Sequence, residues 1–532
     1  MDVVGALLSF GKLLGVIRAV GAPDFGGLLS RQEEELLALD SVAPSRDELR
    51  NLSADIVAGL DPLGEASLAL RDTRSRRTLG AFYTPKEIVT AITGWALARE
   101  PARLIDAGCG SGRFALQALA MRPETSVTAI DIDPLATLVT RTNMLTRGVD
   151  RSARVINGDY LQVSFPEACG RTAFVGNPPY VRHHGLTKEQ KAWGTAAART
   201  LGLKFPGLSG LHSYFFLATA LKATEGDVGC FVTSAEWLDV RYGGLVRHLL
   251  TNGLGLESIH MIDANARPFA DAMTTAVVSC FRVGATSTEV HTQTISGAGC
   301  LDLSNAEPVS RALFVERPRW SSLIKGVGDK VIHEGMIRLG DIARVHRGVV
   351  TGSNKFFVMP RAEAHSLGLA KYVKPVIHSA REVLESEGSI VDTTERWVLL
   401  DPPPLDLSDP VNSALRRYVE GGEKGVAGGY ICSHRRPWWK VGAKPPPPIV
   451  ATYMARQPPM FALNRDGLAI LNVLHGIYPL SPMPPARLAD LVSYLNQNRS
   501  SFRGLGRTYA GGLEKFEPSE LESIPVPSSL ID

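Results

Sequence analysis

Between Ala102 and Gly112 the chain reads Ala-Arg-Leu-Ile-Asp-Ala-Gly-Cys-Gly-Ser-Gly, and Arg113 to Ala120 follows with apolar residues at helical spacing. A short apolar run, an acid, alternating glycines and an amphipathic stretch predict strand, tight turn and helix. The glycines let the backbone pass close beneath a ligand, as in any nucleotide-binding βαβ unit, and alone they would also suit a nicotinamide cofactor. Three more runs repeat the form. Ser126 to Pro134 carries Asp131 and Asp133 at its end, Ala153 to Leu161 carries Asp159, and Thr172 to Gly176 leads into Asn177-Pro178-Pro179-Tyr180. Four strand ends bearing polar groups along one edge predict an open, mostly parallel α/β sheet that binds its ligands at that edge.

The tetrapeptide Asn177-Pro178-Pro179-Tyr180 points to a specific chemistry. An exocyclic amine conjugated with a ring is a poor nucleophile, because its lone pair is delocalised. An Asn side-chain oxygen and the backbone carbonyl after it can each accept one N–H, which favours a pyramidal nitrogen with its lone pair exposed. Proline fixes its own φ and pushes the preceding residue to an extended conformation, so the acceptors are held in place in advance. Tyr180 offers a flat face for a base. In isolation the same four residues would be an ordinary strand-ending turn; the glycine turn seventy residues upstream, with the acids between, favours a methyl transferase acting on a planar nitrogen.

With these motifs in order, residues 76–285 strongly resemble the gamma group of amino-group DNA methyltransferases, enzymes of restriction-modification systems that make N6-methyladenine; the C-terminal third resembles them loosely. The resemblance implies a Rossmann-like class I methyltransferase sheet, an N-terminal helical segment and a C-terminal α+β target-recognition domain. It implies S-adenosyl-L-methionine as cofactor, double-stranded DNA as substrate, a monomer, and a cognate restriction endonuclease as functional rather than physical partner. Thr78 to Val89 corresponds to the family's tenth motif, so Tyr83, Thr84 and Pro85 would line the methionine end of the cofactor pocket. Thr84 also reads locally as a helix N-cap with Pro85 in the first helical position and Glu87 three residues on. Asp106, Gly108 and Gly110 would face the methionine side, Asp131 the ribose, and Ile132, Asp159 and Tyr160 the adenine. Gly229 to Leu238 resembles the sixth motif and Ala266 to Arg282 the eighth, where Phe269 is expected to sandwich the flipped base opposite Tyr180. A structural place for Phe269 at the start of a hairpin is the alternative.

Four segments are expected: a helical region at 1–77, the catalytic domain at 78–285, connecting strands and a linker at 286–334, and the recognition domain at 335–532. Arg71 to Arg77 reads either as a phosphate contact or as a solvated helix face, and Lys188 to Lys204 as a polar loop near DNA. Arg344 to Val358 resembles the opening of a recognition domain, with Arg347 and Lys355 as DNA contacts. His434-Arg435-Arg436-Pro437-Trp438-Trp439-Lys440 interleaves cations with aromatics, which makes Arg435, Arg436 and Trp438 candidates for phosphate contact and stacking; a structural Trp pair is the alternative. The net charge of the 532 residues is only +3, so nucleic-acid binding does not follow from the total.

The 44% hydrophobic and 21% charged residues are ordinary soluble globular usage. The six cysteines show no paired spacing and read as reduced thiols in a cytoplasmic protein, without a zinc site. No metal site and no membrane span are expected. His183 and His184 read as surface or phosphate contacts. Pro23-Asp24 with Glu33-Glu34-Glu35 is reminiscent of an acidic nuclease pattern but lacks a following Asp/Glu-x-Lys, so cleavage is not expected. Two other function classes remain open on the sequence: methylation of another planar nitrogen, in RNA guanine or protein glutamine, and a non-catalytic DNA-binding defence subunit.

Overall fold

The computed structural model describes residues 7, 9–71, 83–149, 153–166, 168–263, 275–296, 301–326, 335–455, 457–503, 505–509 and 513–530. Two compact units divide the chain at Gly326/Val327. The first is organised around a nine-stranded sheet made of β1 (Arg103–Ala107), β2 (Ser126–Asp131), β3 (Arg154–Asn157), β4 (Thr172–Gly176), β5 (Val228–Ser234), β6 (Leu256–Ile262), β7 (Ala276–Arg282), β8 (Glu289–Ile295) and β9 (Glu307–Ser310). Its order is β3-β2-β1-β4-β5-β7-β6-β8-β9. The first five strands run parallel, and β7 lies antiparallel between β5 and β6. This is the expected Rossmann-like class I methyltransferase sheet, and its order reverses between β1 and β4, which opens a crevice at their carboxyl ends.

Side chains alternate across a strand, and the sequence uses both faces. Ile105, Phe174 and Phe231 enter one core with Phe215 and Phe216 of helix Leu211–Lys222 and with Leu245 and Leu249 of helix Gly244–Asn252. Their neighbours Leu104, Ala173, Val175, Cys230 and Val232 enter the other, against helices Lys86–Leu97 and Arg113–Met121. The same alternation brings Cys230 opposite Cys280 across β5 and β7, with their sulfurs 3.1 Å apart, a pairing that their spacing in sequence conceals. The segment after β9 is more than a connection: Phe314 and Trp320 are buried in the first core, where Trp320 packs edge-on against Trp237.

Upstream of β1, helices Arg31–Leu37 and Arg46–Val57 begin with capping boxes, Ser30 with Glu33 and Ser45 with Glu48. Helices Phe10–Val20 and Pro62–Ala69 pack with them onto Leu135, Leu138 and Val139 of helix Pro134–Thr146. A fully buried ion pair joins this layer to the sheet. Arg141 Nε donates to Glu33 Oε1 at 3.0 Å, and the rest of its guanidinium donates to the carbonyls of Phe25, Gly27, Leu28 and Val155. Glu33 also accepts from Thr137 Oγ1 at 2.8 Å and from Ser30 N–H at 2.8 Å. The glutamate that resembles part of a nuclease pattern is therefore a structural anion. One expectation is corrected at 188–204, where Lys188–Thr200 is a helix rather than a loop: Thr187 and Gln190 form a capping box, and Gly194, Ala197 and Ala198 are its buried residues.

The second unit is built of short strands. Ala343–Arg347 edges a five-stranded sheet, pairing antiparallel with Leu474–Pro479. Val358–Pro360, Trp397–Leu400, Val373–Ile377 and Ala469–Ile470 make a four-stranded one. Leu339, Val345, Phe461 and Leu495 fill one core, and Phe357, Leu399, Leu415 and Trp439 another.

Removing one member of a buried, fully hydrogen-bonded ion pair strands the other charge. Arg141→Met is expected to cost about 3–5 kcal/mol, read from the urea unfolding midpoint of the full chain by circular dichroism. The double variant Glu33→Leu/Arg141→Met is expected to cost less than the single one.

Candidate functional site

The glycine turn after β1 is fastened to the end of β2. Gly108 and Cys109 each donate a backbone N–H to the carbonyl of Ile130 at 2.9 Å, and Gly110 N–H donates to Asp131 Oδ2 at 2.9 Å. Gly108 and Gly110 have φ of 73° and 56°, a backbone that side chains with a β-carbon rarely adopt. Asp131 Oδ1 accepts from Asp133 N–H at 3.0 Å. Burial raises the Asp131 carboxyl to about 6 despite these two backbone bonds. Beyond it, Ile132 is 54% exposed, an apolar side chain left uncovered beside the turn.

Asn177 follows β4, where a β-carbon on Gly176 would stand 2.5 Å from the carbonyl oxygen of Ala107. Its Nδ2 donates to Thr84 Oγ1 at 3.1 Å, and its Oδ1 is buried with no hydrogen-bond partner among the described residues. A buried acceptor left open is uncommon in a native structure, and its cost is offset only if something donates to it. The same bond corrects the reading of Thr84 as a helix cap. Pro85 occupies the N-cap position of helix Lys86–Leu97, no side chain caps it, and the Thr84 hydroxyl is turned to Asn177 instead.

A cavity joins these groups. Tyr83, Thr84, Gly108, Gly110, Asp131, Ile132, Asp159, Tyr160, Asn177 and Pro179 all line it. Tyr160 is stacked on Phe215 with centroids 5.0 Å apart, and its hydroxyl lies 2.8 Å from Thr219 Oγ1; burial pushes the phenol well up. Asp159 Oδ1 accepts the Leu161 N–H at 3.0 Å. Exposed Ile132, two carboxylates and stacked aromatics suit a nucleoside, and the glycine turn leaves room for a chain attached to it.

Other expected residues lie elsewhere. Asp106, Pro85, Pro178 and Tyr180 do not line the cavity. Asp106 is fully buried beneath the turn, accepts the Ala115 N–H at 3.0 Å, and is raised to about 7 by burial. It supports the turn from below. Tyr180 packs against the core that holds Ile88 and Ile92, and burial pushes its phenol up. Phe269 lies outside the described residues, as do Arg74, Arg76 and Arg77. In the second unit, Trp438 is packed among Phe356 and Phe357, with Trp439 buried beside it, and Arg435 donates to the carbonyls of Thr351 and Val350. Trp438 and Arg435 thereby fasten residues 434–440 to residues 350–357, contacts of the kind that the structural alternative describes. Arg347 pairs with Glu517 while remaining 56% exposed, and Lys355 and Arg436 are exposed.

Several cavity residues carry no clear mark in the sequence. Arg71 reaches the rim and pairs with Asp133. Its side chain is only 17% exposed, so this one described member of the basic run is a paired, largely covered cation rather than a solvated one. Helix Pro62–Ala69 contributes Gly64, Ser67 and Leu68, and Arg113 and Gln190 complete the wall. Arg113 is the first residue after the glycine turn, which is a local signal for the cavity; the marks that Arg71 and Gln190 carry, a basic run and a capping box, say nothing of a cavity, and the helix residues carry none.

Comparison with known proteins agrees with this geometry. A family profile described as N-6 DNA Methylase matches residues 65–202, and one described as Type II methyltransferase M.Eco57I, C-terminal domain, matches 327–532. Type II methyltransferase M.XamI of Xanthomonas campestris pv. amaranthicola is 40% identical over 475 residues, 88% of this chain and 87% of that protein. Type II methyltransferase M.AccI of Acinetobacter calcoaceticus is 23% identical over 84% of this chain and 85% of its own length. The cryo-EM structure of the DrdV–DNA complex superposes with a TM-score of 0.52 at 13% identity, covering 94% of this chain and 62% of that one, which is a likeness of fold. With M.XamI matched along nearly its whole length and the N6-methylase profile falling on the strands that form the cavity, the chain belongs to the type II, adenine-specific DNA methyltransferases of restriction-modification systems.

Proposed function

We propose that the chain transfers a methyl group from S-adenosyl-L-methionine to N6 of an adenine turned out of double-stranded DNA, and so protects that DNA from a cognate restriction endonuclease. The observation that carries this reading is Asn177 Oδ1, buried, open, and fixed in orientation by the Thr84 hydroxyl. When bound, the cofactor supplies an electrophilic methyl group on a sulfonium. Asn177 Oδ1 accepts one N–H of the amine and the backbone carbonyl beside it a second, which draws the nitrogen towards a pyramidal shape. The bond from Asn177 to Thr84 keeps the amide from rotating its NH2 towards the substrate. No strong base is required, because a methylated ammonium is acidic enough to lose its proton to water.

On the cofactor side, Asp131 would accept ribose hydroxyls, Ile132 would cover the adenine, and Asp159 would accept from its amino group. Tyr83, Thr84, Gly108 and Gly110 would border the methionine chain. A base inside a duplex cannot reach this crevice, so it must leave the stack, at a cost of a few kcal/mol that aromatic contact partly recovers. Phe269 and Tyr180 are the proposed aromatic faces. Lys355, Arg436 and Arg347 are the proposed phosphate contacts of the second unit. No helix among the described residues is long and apolar enough to cross a membrane.

The direct test is single-molecule sequencing of DNA from a methylation-free bacterial host that expresses the chain. N6-methyladenine at one fixed motif is expected; unmodified DNA from cells containing soluble protein would count against the reading. Asn177→Ala is expected to abolish the modification while calorimetry finds cofactor affinity within a few-fold of wild type. Thr84→Val, which removes the hydroxyl that orients the amide, is expected to lower kcat by about tenfold, roughly the worth of one hydrogen bond. Asp131 is ionised above about pH 6 and neutral below it. Cofactor affinity is accordingly expected to fall by about tenfold as the pH drops through that value, and Asp131→Asn should be weak throughout, with no such step in a titration from pH 5 to 8.

A further inference from the structure

We infer that Arg113 holds the carboxylate at the methionine end of S-adenosyl-L-methionine, an inference that rests on the cofactor reading above. Arg113 opens helix Arg113–Met121 directly after Gly112 and lines the cavity, although its side chain is only 15% exposed. Its Nη1 is buried with no hydrogen-bond partner among the described residues. A guanidinium in that situation lacks part of the compensation that burial demands. The nearest carboxylate does not supply it. Asp61 Oδ2 is 4.0 Å from Arg113 Nε, and the Asp61 oxygens already accept from Ser111 Oγ at 2.5 Å, Gly64 N–H at 3.0 Å and Asn143 Nδ2 at 3.3 Å. Burial also raises the Asp61 carboxyl, which weakens it as a counter-charge. The other cation on the cavity wall, Arg71, is already paired with Asp133.

The position of Arg113 selects which part of the ligand it meets. Its guanidinium lies over the Tyr83 ring at 3.8 Å, which fixes the plane of the fork. Tyr83 precedes Thr84, the partner of Asn177, so this is the end of the cavity nearest the methyl acceptor. Asp131, Ile132 and Asp159 mark the nucleoside end, leaving the amino-acid end for Arg113. A carboxylate there would meet a planar donor pair at the positive end of the helix that Arg113 opens.

The test compares two ligands by isothermal titration calorimetry: S-adenosyl-L-methionine, and its decarboxylated form, which keeps the sulfonium and the ammonium. Arg113→Met is expected to weaken the first by about ten- to a hundredfold and to leave the second within about twofold, so that the wild-type preference disappears. Arg113→Lys, which keeps the charge but not the fork, should recover part of it; circular dichroism verifies that each variant is folded. Equal weakening of both ligands would overturn the inference, reducing Arg113 to support for Tyr83, while the cofactor reading stood. A wild-type chain that bound neither ligand would overturn both.

Discussion

Between the ends of β1 and β4 there is no room for a β-carbon. The Ala107 carbonyl and the Gly176 backbone meet so closely that only glycine fits, and the site depends on that approach. It occurs where the strand order reverses, so the chain leaving β1 turns one way into the glycine loop and the chain leaving β4 turns the other way into Asn177. With the strands drawn together, the glycine loop, the β2 carboxylate and the Asn177 amide border one cavity. Glycine and proline divide the work: Gly176 permits the close approach, and Pro178 and Pro179 stiffen the chain beyond Asn177.

Electrostatics in the first unit follow from the same crowding. Burial raises the carboxyls of both Asp106 and Asp131, and the nearby Asp131 charge raises Asp106 further. Backbone N–H groups of the turn and of the helix it feeds offset part of that cost. Asp131 is thus held in place by the backbone N–H groups of Gly110 and Asp133, and Asp106 by that of Ala115.

Much of the first unit is legible in the sequence because its information is local. Each of β1 to β4 carries its own apolar run and its own terminal polar residue, so the four strand ends can be read one at a time. Thr84 cannot be read that way. Its local context, followed by Pro85 and Glu87, is that of a helix cap, and only the fold brings Asn177 to its hydroxyl, 93 residues away in sequence. At Lys188–Thr200 polar composition suggests a loop and outweighs a capping box and a row of small residues, both visible in the sequence. In the second unit, interleaved cations and aromatics describe a packed loop as well as they describe a nucleic-acid surface. The difference lies in what Trp438 and Arg435 touch, which composition does not encode.

The buried pair of Arg141 and Glu33 bears on where the inherited unit begins. The N6-methylase profile falls on residues 65–202, and a reader of motifs would start the module near there. Yet Arg141, within that span, spends nearly all its donors on residues 25–33 and keeps only the Val155 carbonyl from the sheet. A segment cut at the motif boundary would carry a bare cation into an apolar interior. The helices ahead of the glycine turn are thus no detachable prefix: any recombination that moved this catalytic sheet into another protein would have to take its upstream counter-charge along.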